Sequence, residues 1–240
     1  MCTATYFPLT DNGFILTHSR DERVLRPSAL QPKTYRINEQ DITFPKDPLG
    51  QGTWIAATAS VSVCLLNGAF TAHVPTPPYK HSRGLVIPHF FAYSSIDHFS
   101  DTYDFEGIEP FTLLIATVGR LVELRWNGSR LFMHDKDPDR PHIWSSLTLY
   151  SPIIIAQRED WFRDWQHQHP NPTVDSIRWF HQNAGDGDST NSVRMNRNNE
   201  LLTLSLSSIV HQEAQVEFIY KDFTQQSLTH TLIRPSYATA

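Results

Sequence analysis

Apolar and polar positions near the start of the chain follow the two-residue period of a β-strand. Residues 2–9 and 14–17 form two such runs, and the turn between them at residues 10–13 ends in Asn12-Gly13, a pair typical of tight hairpins. Antiparallel partners lie about 5 Å apart across a hairpin. We therefore expect Arg20 and Asp21, about one strand length beyond the turn, to lie close to Cys2.

The same patterning predicts most of the remaining elements. Residues 26–48 are polar and contain four prolines, so this segment is expected to be a loop with one short strand at 34–37. Further strands are predicted at 54–58, 61–66, 111–117, 120–126, 131–134, 201–209, 215–220 and 227–233, and helices at 85–93, 161–167 and 174–182. Residues 236–240 are expected to form a loose tail. Strands at both ends with helices grouped between them predict an α+β fold in which helices cover sheet faces.

The composition favours one globular domain that spans residues 1–240. A chain of this length with 40% hydrophobic residues can bury a full core. The net charge of -5 and the pI near 6.2 provide no positive surface for nucleic acid or an anionic membrane. A small-molecule ligand is therefore a better expectation than a nucleic acid.

Targeting signals and disulfides are not indicated. Charged residues interrupt the N-terminal segment, and no apolar run approaches the roughly 18 residues of a membrane span. We expect a cytoplasmic protein in which Cys2 and Cys64 are free thiols, because two cysteines are too few for a disulfide framework. Nothing in the sequence indicates the oligomeric state.

Cys2 is the first candidate for chemistry. If Met1 is removed, Cys2 carries both a thiol and a free α-amine. An α-amine titrates near pH 8 and a thiol at roughly pH 8.5, so the amine can take the thiol proton without help from a distant histidine. This is the chemistry of N-terminal nucleophile (Ntn) hydrolases. The alternative is a non-catalytic, buried cysteine.

Several short motifs follow Cys2 in a fixed order. They are Ser19-Arg20-Asp21-Glu22 with Arg26-Pro27, then Gly52-Thr53-Trp54-Ile55-Ala56, Leu65-Leu66-Asn67 and Ser82-Arg83-Gly84-Leu85. Together they resemble the NRDE family, also called the Transport and Golgi organisation 2 type, most clearly over residues 1–95. Ser19 stands where the family motif has Asn.

The resemblance implies a fold, an activity and a set of site residues. The fold is the αββα Ntn-hydrolase sandwich, in which two antiparallel sheets lie between helical layers. The family is also similar to choloylglycine hydrolases and penicillin V acylases, which cleave amide bonds from an N-terminal cysteine. By this resemblance the catalytic residues are Cys2, Arg20, Asp21, Asn67, Ser146 and Arg194, with Arg197 as the alternative late arginine.

Each of these roles has a physical reason and an alternative. Arg20 would lower the pKa of the thiol and Asp21 would orient the α-amine; alternatively the two form an ion pair at a strand end. Asn67 would donate to an oxyanion, or it is simply a turn residue before Gly68. Ser146 stands where the acylases have a second Asn, and loss of one oxyanion donor can cost about 10²-fold or more in turnover.

No cofactor or metal is predicted. Two acidic runs begin like calcium loops at Asp135 and Asp186, but Arg140 replaces the required Gly in the first, and Ser146 and Arg197 occupy the closing positions where Glu is needed. Two functions stay open: a cysteine amide hydrolase acting on a small acyl-amide, and a non-catalytic protein of the same fold that handles haem or lipids.

Overall fold

The computed structural model describes residues 2–10, 12–212 and 215–234. Its strands are β1 Cys2–Pro8, β2 Phe14–Arg23, β3 Leu30–Ile37, β4 Gln40–Lys46, β5 Ile55–Ala57, β6 Val61–Asn67, β7 Phe111–Thr117, β8 Arg120–Trp126, β9 Leu131–Lys136, β10 His142–Ser145, β11 Asn196–Arg197, β12 Leu201–Gln212, β13 Gln215–Asp222 and β14 Ser227–Ile233. The helices are α1 Val86–Phe90, α2 Ile96–Thr102, α3 Pro152–Gln168 and α4 Val174–Asn183, with a 3-10 turn at Arg83–Leu85.

The strands form two antiparallel sheets. The first has the order β10-β1-β2-β12-β13-β14, with β11 beside β12, so it joins the two ends of the chain. The second runs β3 to β9 in chain order. In the first sheet β1 is an inner strand, because it pairs with β2 on one side and β10 on the other. Cys2 is therefore fixed by neighbours on both sides.

Three apolar cores separate four layers. The middle core lies between the sheets and includes Ala4, Leu16, Leu66 and Leu114. A second core joins the outer face of the β3–β9 sheet to α1 and α2, and a third joins the outer face of the other sheet to α3 and α4. The order helix, sheet, sheet, helix confirms the predicted αββα class.

The expectation of a loop over residues 26–48 is wrong. Strands β3 and β4 form a hairpin there, and its turn residues Asn38 and Glu39 have φ values of 47° and 64°. Left-handed residues match the twist of a tight hairpin, but Glu is uncommon at such a position. The usual Asn-Gly signal was therefore absent from the sequence.

The helix predicted at 161–167 is much longer than expected. It begins at Pro152, and the Ser151 hydroxyl caps it by accepting from the Ile154 amide at 3.4 Å. Ser followed by Pro is a typical helix start. The helix predicted at 85–93 is shorter than expected: the 3-10 turn ends at Leu85, α1 ends at Phe90, and α2 follows separately after a Ser95 cap.

Some expectations lie outside the described residues. They are the removal of Met1, the conformation of Asp11 in the first turn, and the tail at residues 236–240. Within the described part of the chain, none of the helices has the length and apolar character that a membrane crossing would require.

Candidate active site

A small polar pocket opens at the start of β1. The register of the first hairpin pairs Cys2 with Arg20, which the sequence placed near the thiol together with Asp21, and Cys2 and Arg20 both line this pocket of about 130 Å³. Asn67, the last residue of β6, lines it from the opposite sheet. The remaining lining residues are Glu22, Arg26, Asp47, Gly52, Thr53, Trp54, Leu65, Ser82, Arg83 and Gly84.

The motifs quoted from the sequence meet at this pocket. Every quoted motif contributes lining residues, although the motifs belong to different strands and loops. They are the stretches around Arg20, Arg26, Trp54, Asn67 and Arg83. Apart from Cys2 itself, Asp47 is the one lining residue in the described part of the chain that comes from outside those stretches. The resemblance in sequence is therefore concentrated at one place in the structure.

Two glycines bring the Arg83 segment against the pocket. The Thr53 amide donates to the Gly84 carbonyl at 3.0 Å, and a Cβ on Gly52 would lie 2.2 Å from the Gly84 carbonyl carbon. No side chain at position 52 fits that distance without a shift of backbone. Glycine is thus required for the close approach that positions Arg83.

Paired charges form one wall. Asp47 Oδ2 lies 2.7 Å from Arg26 Nη2 and 3.3 Å from Arg20 Nη2, and the Arg20 guanidinium stacks 4.4 Å over the Trp54 ring. Burial alone would raise the pKa of Asp47, but hydrogen bonds from Arg26 and Gly50 and the charges of both arginines outweigh burial and lower it. Asp47 is therefore held as a carboxylate that orients two arginines.

The Cys2 thiol is almost completely buried, with 3% of the residue exposed. Burial raises the pKa of this thiol, the charge of Asp21 raises it further, and the charge of Arg20 lowers it. Arg20 thus supplies the effect expected from the sequence, although burial is the larger influence. Cys64 lies fully buried in the core between the sheets, and burial raises its pKa well above the usual thiol value.

Asp21 points to the other side of β2, away from the pocket. Its carboxylate accepts hydrogen bonds from Tyr150 Oη and Thr203 Oγ1, both at 2.7 Å. Burial raises the pKa of Asp21, whereas the nearby Arg158 charge and the two hydrogen bonds lower it. The adjacent residues Arg20 and Asp21 therefore lie in two separate environments.

Ser146 lies next to Cys2 through the backbone. Its amide donates to the Cys2 carbonyl at 2.9 Å, and its hydroxyl donates to the Asn67 carbonyl at 2.8 Å. The hydroxyl proton is thus used within the protein. The Asn67 carboxamide makes no hydrogen bond to any residue that the structure describes, so it is available to a ligand in the pocket.

The two arginines that the resemblance implied, Arg194 and Arg197, lie outside the pocket. Arg194 is exposed and stacks 4.3 Å over Phe223. Arg197 binds the carbonyls of Thr190 and Leu149. Neither lines the pocket that contains Cys2.

A buried arginine near the start of β1 was not identified from the sequence. Arg158 of α3 is fully buried, donates to Thr3 Oγ1 and to the Asn191 carbonyl, and stacks 3.6 Å over the Tyr150 ring. Its helical spacing from the buried Phe162 places it on the inward face of α3. That spacing was the available signal, but the helix predicted at 161–167 begins after Arg158.

The pocket residues Glu22, Arg26, Asp47 and Arg83 were also not assigned to the site. Three of them belong to the quoted motifs, so the motifs themselves were the signal. Among the residues that the structure describes, no group of three or more His, Cys, Asp or Glu side chains is arranged to hold a metal ion.

The four layers, with a cysteine opening the first strand, define an Ntn-hydrolase fold. The crystal structure of the C2A mutant of conjugated bile acid hydrolase from Clostridium perfringens is similar to it with a TM-score of 0.60, covering 99% of this chain and 97% of that chain at 10% identity. This likeness establishes the fold alone. The model of the Transport and Golgi organisation 2 family matches residues 1–237, and the chain belongs to that family. Comparison with curated proteins finds no match.

Proposed function

We propose that this protein is a cysteine hydrolase of the N-terminal nucleophile type, which cleaves a carbon–nitrogen amide bond of a small acyl-amide through Cys2. The observation that carries the proposal is the shared pocket of Cys2, Arg20 and Asn67. A nucleophile, a fixed cation and a free amide donor there face the same small volume. These are the groups that acyl transfer requires.

The reaction would proceed through a thioester. After removal of Met1, the Cys2 α-amine takes the thiol proton, and the sulfur attacks the amide carbonyl carbon. Asn67 donates a hydrogen bond to the oxyanion, and the charge of Arg20 stabilises it. The carbon–nitrogen bond then breaks, and the amine leaves with the proton held by the α-amine. Water finally cleaves the thioester and releases the carboxylic acid.

Asp21 has a positioning role in this proposal. Its carboxylate is fixed by Tyr150 and Thr203 on the outer face of the sheet, one residue from Arg20. It would hold the end of β2 in place, and its negative charge would help to orient the positively charged α-amine from the helix-facing side of the sheet. Arg158, which contacts Thr3, would support the neighbouring position of β1 in the same way.

The second candidate function is a non-catalytic protein of the same fold that binds or moves a haem or lipid-like ligand. Two observations favour it. Burial raises the pKa of the Cys2 thiol, and the Ser146 hydroxyl donates to the Asn67 carbonyl rather than towards the pocket. With one oxyanion donor fewer, turnover would fall by about 10²-fold or more.

Thiol labelling separates the two candidates. Intact mass of the purified protein reports whether Met1 is removed, and mapping after iodoacetamide treatment compares Cys2 with Cys64. Cys64→Ala leaves Cys2 as the only thiol, and Cys2→Ala is the matched control. For an enzyme we expect a processed N-terminus, labelling of Cys2 well ahead of Cys64, and turnover that is lost in Cys2→Ala and retained in Cys64→Ala.

The opposite results would reject the catalytic proposal. A retained Met1 leaves no α-amine on Cys2 and therefore no base. Equal, slow labelling of both thiols would mean that Arg20 does not activate Cys2. Either outcome would favour the binding protein, and a folded Cys2→Ala variant that still hydrolysed amides would reject Cys2 as the nucleophile.

A further inference from the structure

The pocket around Cys2 carries charges of both signs. Arg20, Arg26 and Arg83 provide three cations, and Glu22 and Asp47 provide two anions. These side chains come from strands and loops that are distant in sequence but line one cavity. A ligand there meets fixed partners for a carboxylate and for an ammonium in the same cavity as the thiol.

The volume beside the thiol limits the acyl group. A dry cavity of about 150 Å³ holds one benzene molecule, so the pocket of about 130 Å³ has room for an acyl group of about that size. Its lining is mostly polar, and the apolar surface needed to bind a long hydrocarbon chain is missing from the described residues around it. A short polar group therefore fits this pocket better than a long apolar one.

The polar character continues outward. A second pocket of about 370 Å³ shares Glu22, Arg26, Asn67 and Arg83 with the first. On its far side Glu109 lies 3.0 Å from His73 Nε2 and 2.9 Å from Arg83 Nη2. The shared residues therefore lie between the inner pocket at Cys2 and this outer pocket, which is also lined by charged groups.

Two of the shared residues have unused binding capacity. Glu22 Oε2 lies 3.7 Å from Arg20 and 3.6 Å from Arg26, beyond hydrogen-bond distance, so it can accept a hydrogen bond from a ligand. Arg26 binds Asp47 through Nε and Nη2, and 30% of its side chain is exposed. Its remaining guanidinium nitrogen, Nη1, can reach a ligand carboxylate.

Building on the proposed function, we propose that the substrate is a short amide that carries both an ammonium and a carboxylate, that is, an amide of the amino-acid type. Glu22 binds the ammonium and Arg26 binds the carboxylate, while the amide carbonyl lies between Cys2 and Asn67. Such a zwitterion offers a partner of opposite charge to both the cationic and the anionic side chains of the pocket. An apolar acyl chain would remove water from these charged groups and offer them no hydrogen-bonding partner in return.

Calorimetric binding to the Cys2→Ala variant tests this without turnover. The probes are two zwitterionic amides, L-glutamine and glycylglycine, with N-octanoylglycine as the apolar competitor. Two truncated analogues of glutamine complete the set: glutaramic acid lacks the ammonium, and 4-aminobutanamide lacks the carboxylate. We expect at least one zwitterion to bind about tenfold or more tightly than N-octanoylglycine, because each hydrogen-bonded charge contributes strongly.

Two substitutions in the Cys2→Ala background assign the charges. Glu22→Gln should weaken binding of the zwitterion by about tenfold and leave binding of glutaramic acid, which has no ammonium, unchanged. Arg26→Gln should also weaken binding of the zwitterion, but it should leave binding of 4-aminobutanamide, which has no carboxylate, unchanged. Glu159→Gln, at an exposed position on α3, is the matched control and should change neither. Thermal melting of every variant establishes that each is folded.

The inference is overturned if neither zwitterion binds, if N-octanoylglycine binds more tightly, or if Glu22→Gln and Arg26→Gln weaken all probes equally. These results are independent of the catalytic proposal. An unreactive Cys2 would reject the enzyme and leave the binding result standing, whereas preference for the apolar probe would reject the substrate class and leave a reactive Cys2 standing.

Discussion

The two faces of β2 differ in how they use charged residues. Arg20 points between the sheets into the pocket and shares Asp47 with Arg26. Asp21, the next residue, points towards the helices, where Tyr150 and Thr203 both donate to it. Consecutive side chains of a strand lie on opposite faces, so a two-residue motif is divided between two layers of the protein.

The comparison separates binding from architecture. On the pocket face the ion pairs have lengths of up to 3.7 Å and the Asn67 carboxamide has no partner among the described residues, so a ligand can compete for these groups. On the helix face the carboxylate is enclosed and both its oxygens are hydrogen-bonded. We therefore expect substitutions on the pocket face to change binding most, and those on the helix face to change stability most.

The largest expected effect is on the helix face. Arg158→Met should lower the free energy of unfolding by about 3–5 kcal/mol, because it leaves the buried Asp21 without a nearby cation and removes donors to Thr3 and Asn191. Arg20→Met should cost less, about 1–2 kcal/mol, since Asp47 keeps Arg26. Urea denaturation of both variants measures the difference, and equal costs would remove the contrast between the faces.

Tyr150→Phe sharpens the same contrast with a smaller change. It removes one hydrogen bond to the buried carboxylate of Asp21 and should cost about 1–3 kcal/mol. The matched control is Tyr6→Phe, because Tyr6 Oη donates to the neutral carbonyl of Pro138 at 3.0 Å. We expect a cost of about 0.5–1.5 kcal/mol there. A larger loss in the control would contradict a special role for the Asp21 network.

Each face also buries a histidine that makes the fold sensitive to acid. Burial lowers the pKa of His18, whose Nε2 lies 3.3 Å from the Leu65 carbonyl, to about 3. Burial, helped by the charges of Arg178 and Arg158, lowers that of His181 to about 3 as well. Both values lie below the usual histidine pKa of about 6.5, so the unfolded chain binds protons more readily than the folded one.

Stability is therefore complete above about pH 6.5 and is lost as the pH falls towards 3, at about 1.4 kcal/mol per pH unit for each histidine. Thermal or urea denaturation between about pH 6.5 and 4 measures this slope. His18→Gln and His181→Gln should each reduce the slope of the unfolding free energy against pH by about 1.4 kcal/mol per pH unit. A slope that neither substitution changes would show that other groups control the acid sensitivity.

The smallest expected effect belongs to neither face. Arg194 is exposed and contacts Phe223, so Arg194→Ala should cost only about 0.5–1 kcal/mol. It should leave iodoacetamide labelling of Cys2 unchanged. A marked change in Cys2 labelling would return Arg194 to the site that the resemblance implied.

The sequence could predict what depends on local pattern. Strand alternation and Asn12-Gly13 were enough to place Arg20 near Cys2, and the motifs indicated the fold class and the pocket residue Asn67. Alternation also requires that Arg20 and Asp21 face opposite ways, although both had been expected beside the thiol. Strand alternation alone therefore predicts that Arg20 and Asp21 are separated, whereas the family motif suggested that both belong to one site.

Other features depend on tertiary structure. Asp47 follows a hairpin that had no turn signal, so its position beside Arg20 could not be foreseen. Arg158 is stabilised by backbone carbonyls of residues 191 and 192, and a sequence does not show which loop will cover a helix. Long-range polar contacts of this kind need coordinates.

The close approach of Gly52 and Gly84 has an evolutionary consequence. A side chain at position 52 would displace the backbone at position 84, and a side chain at 84 would press on Thr53 at about 3.0 Å. The two positions are 32 residues apart in the chain, yet neither can vary freely while the other loop stays in place. We expect them to change together or not at all when family members diverge, so that a paired substitution there would mark a lineage in which the pocket has been remodelled.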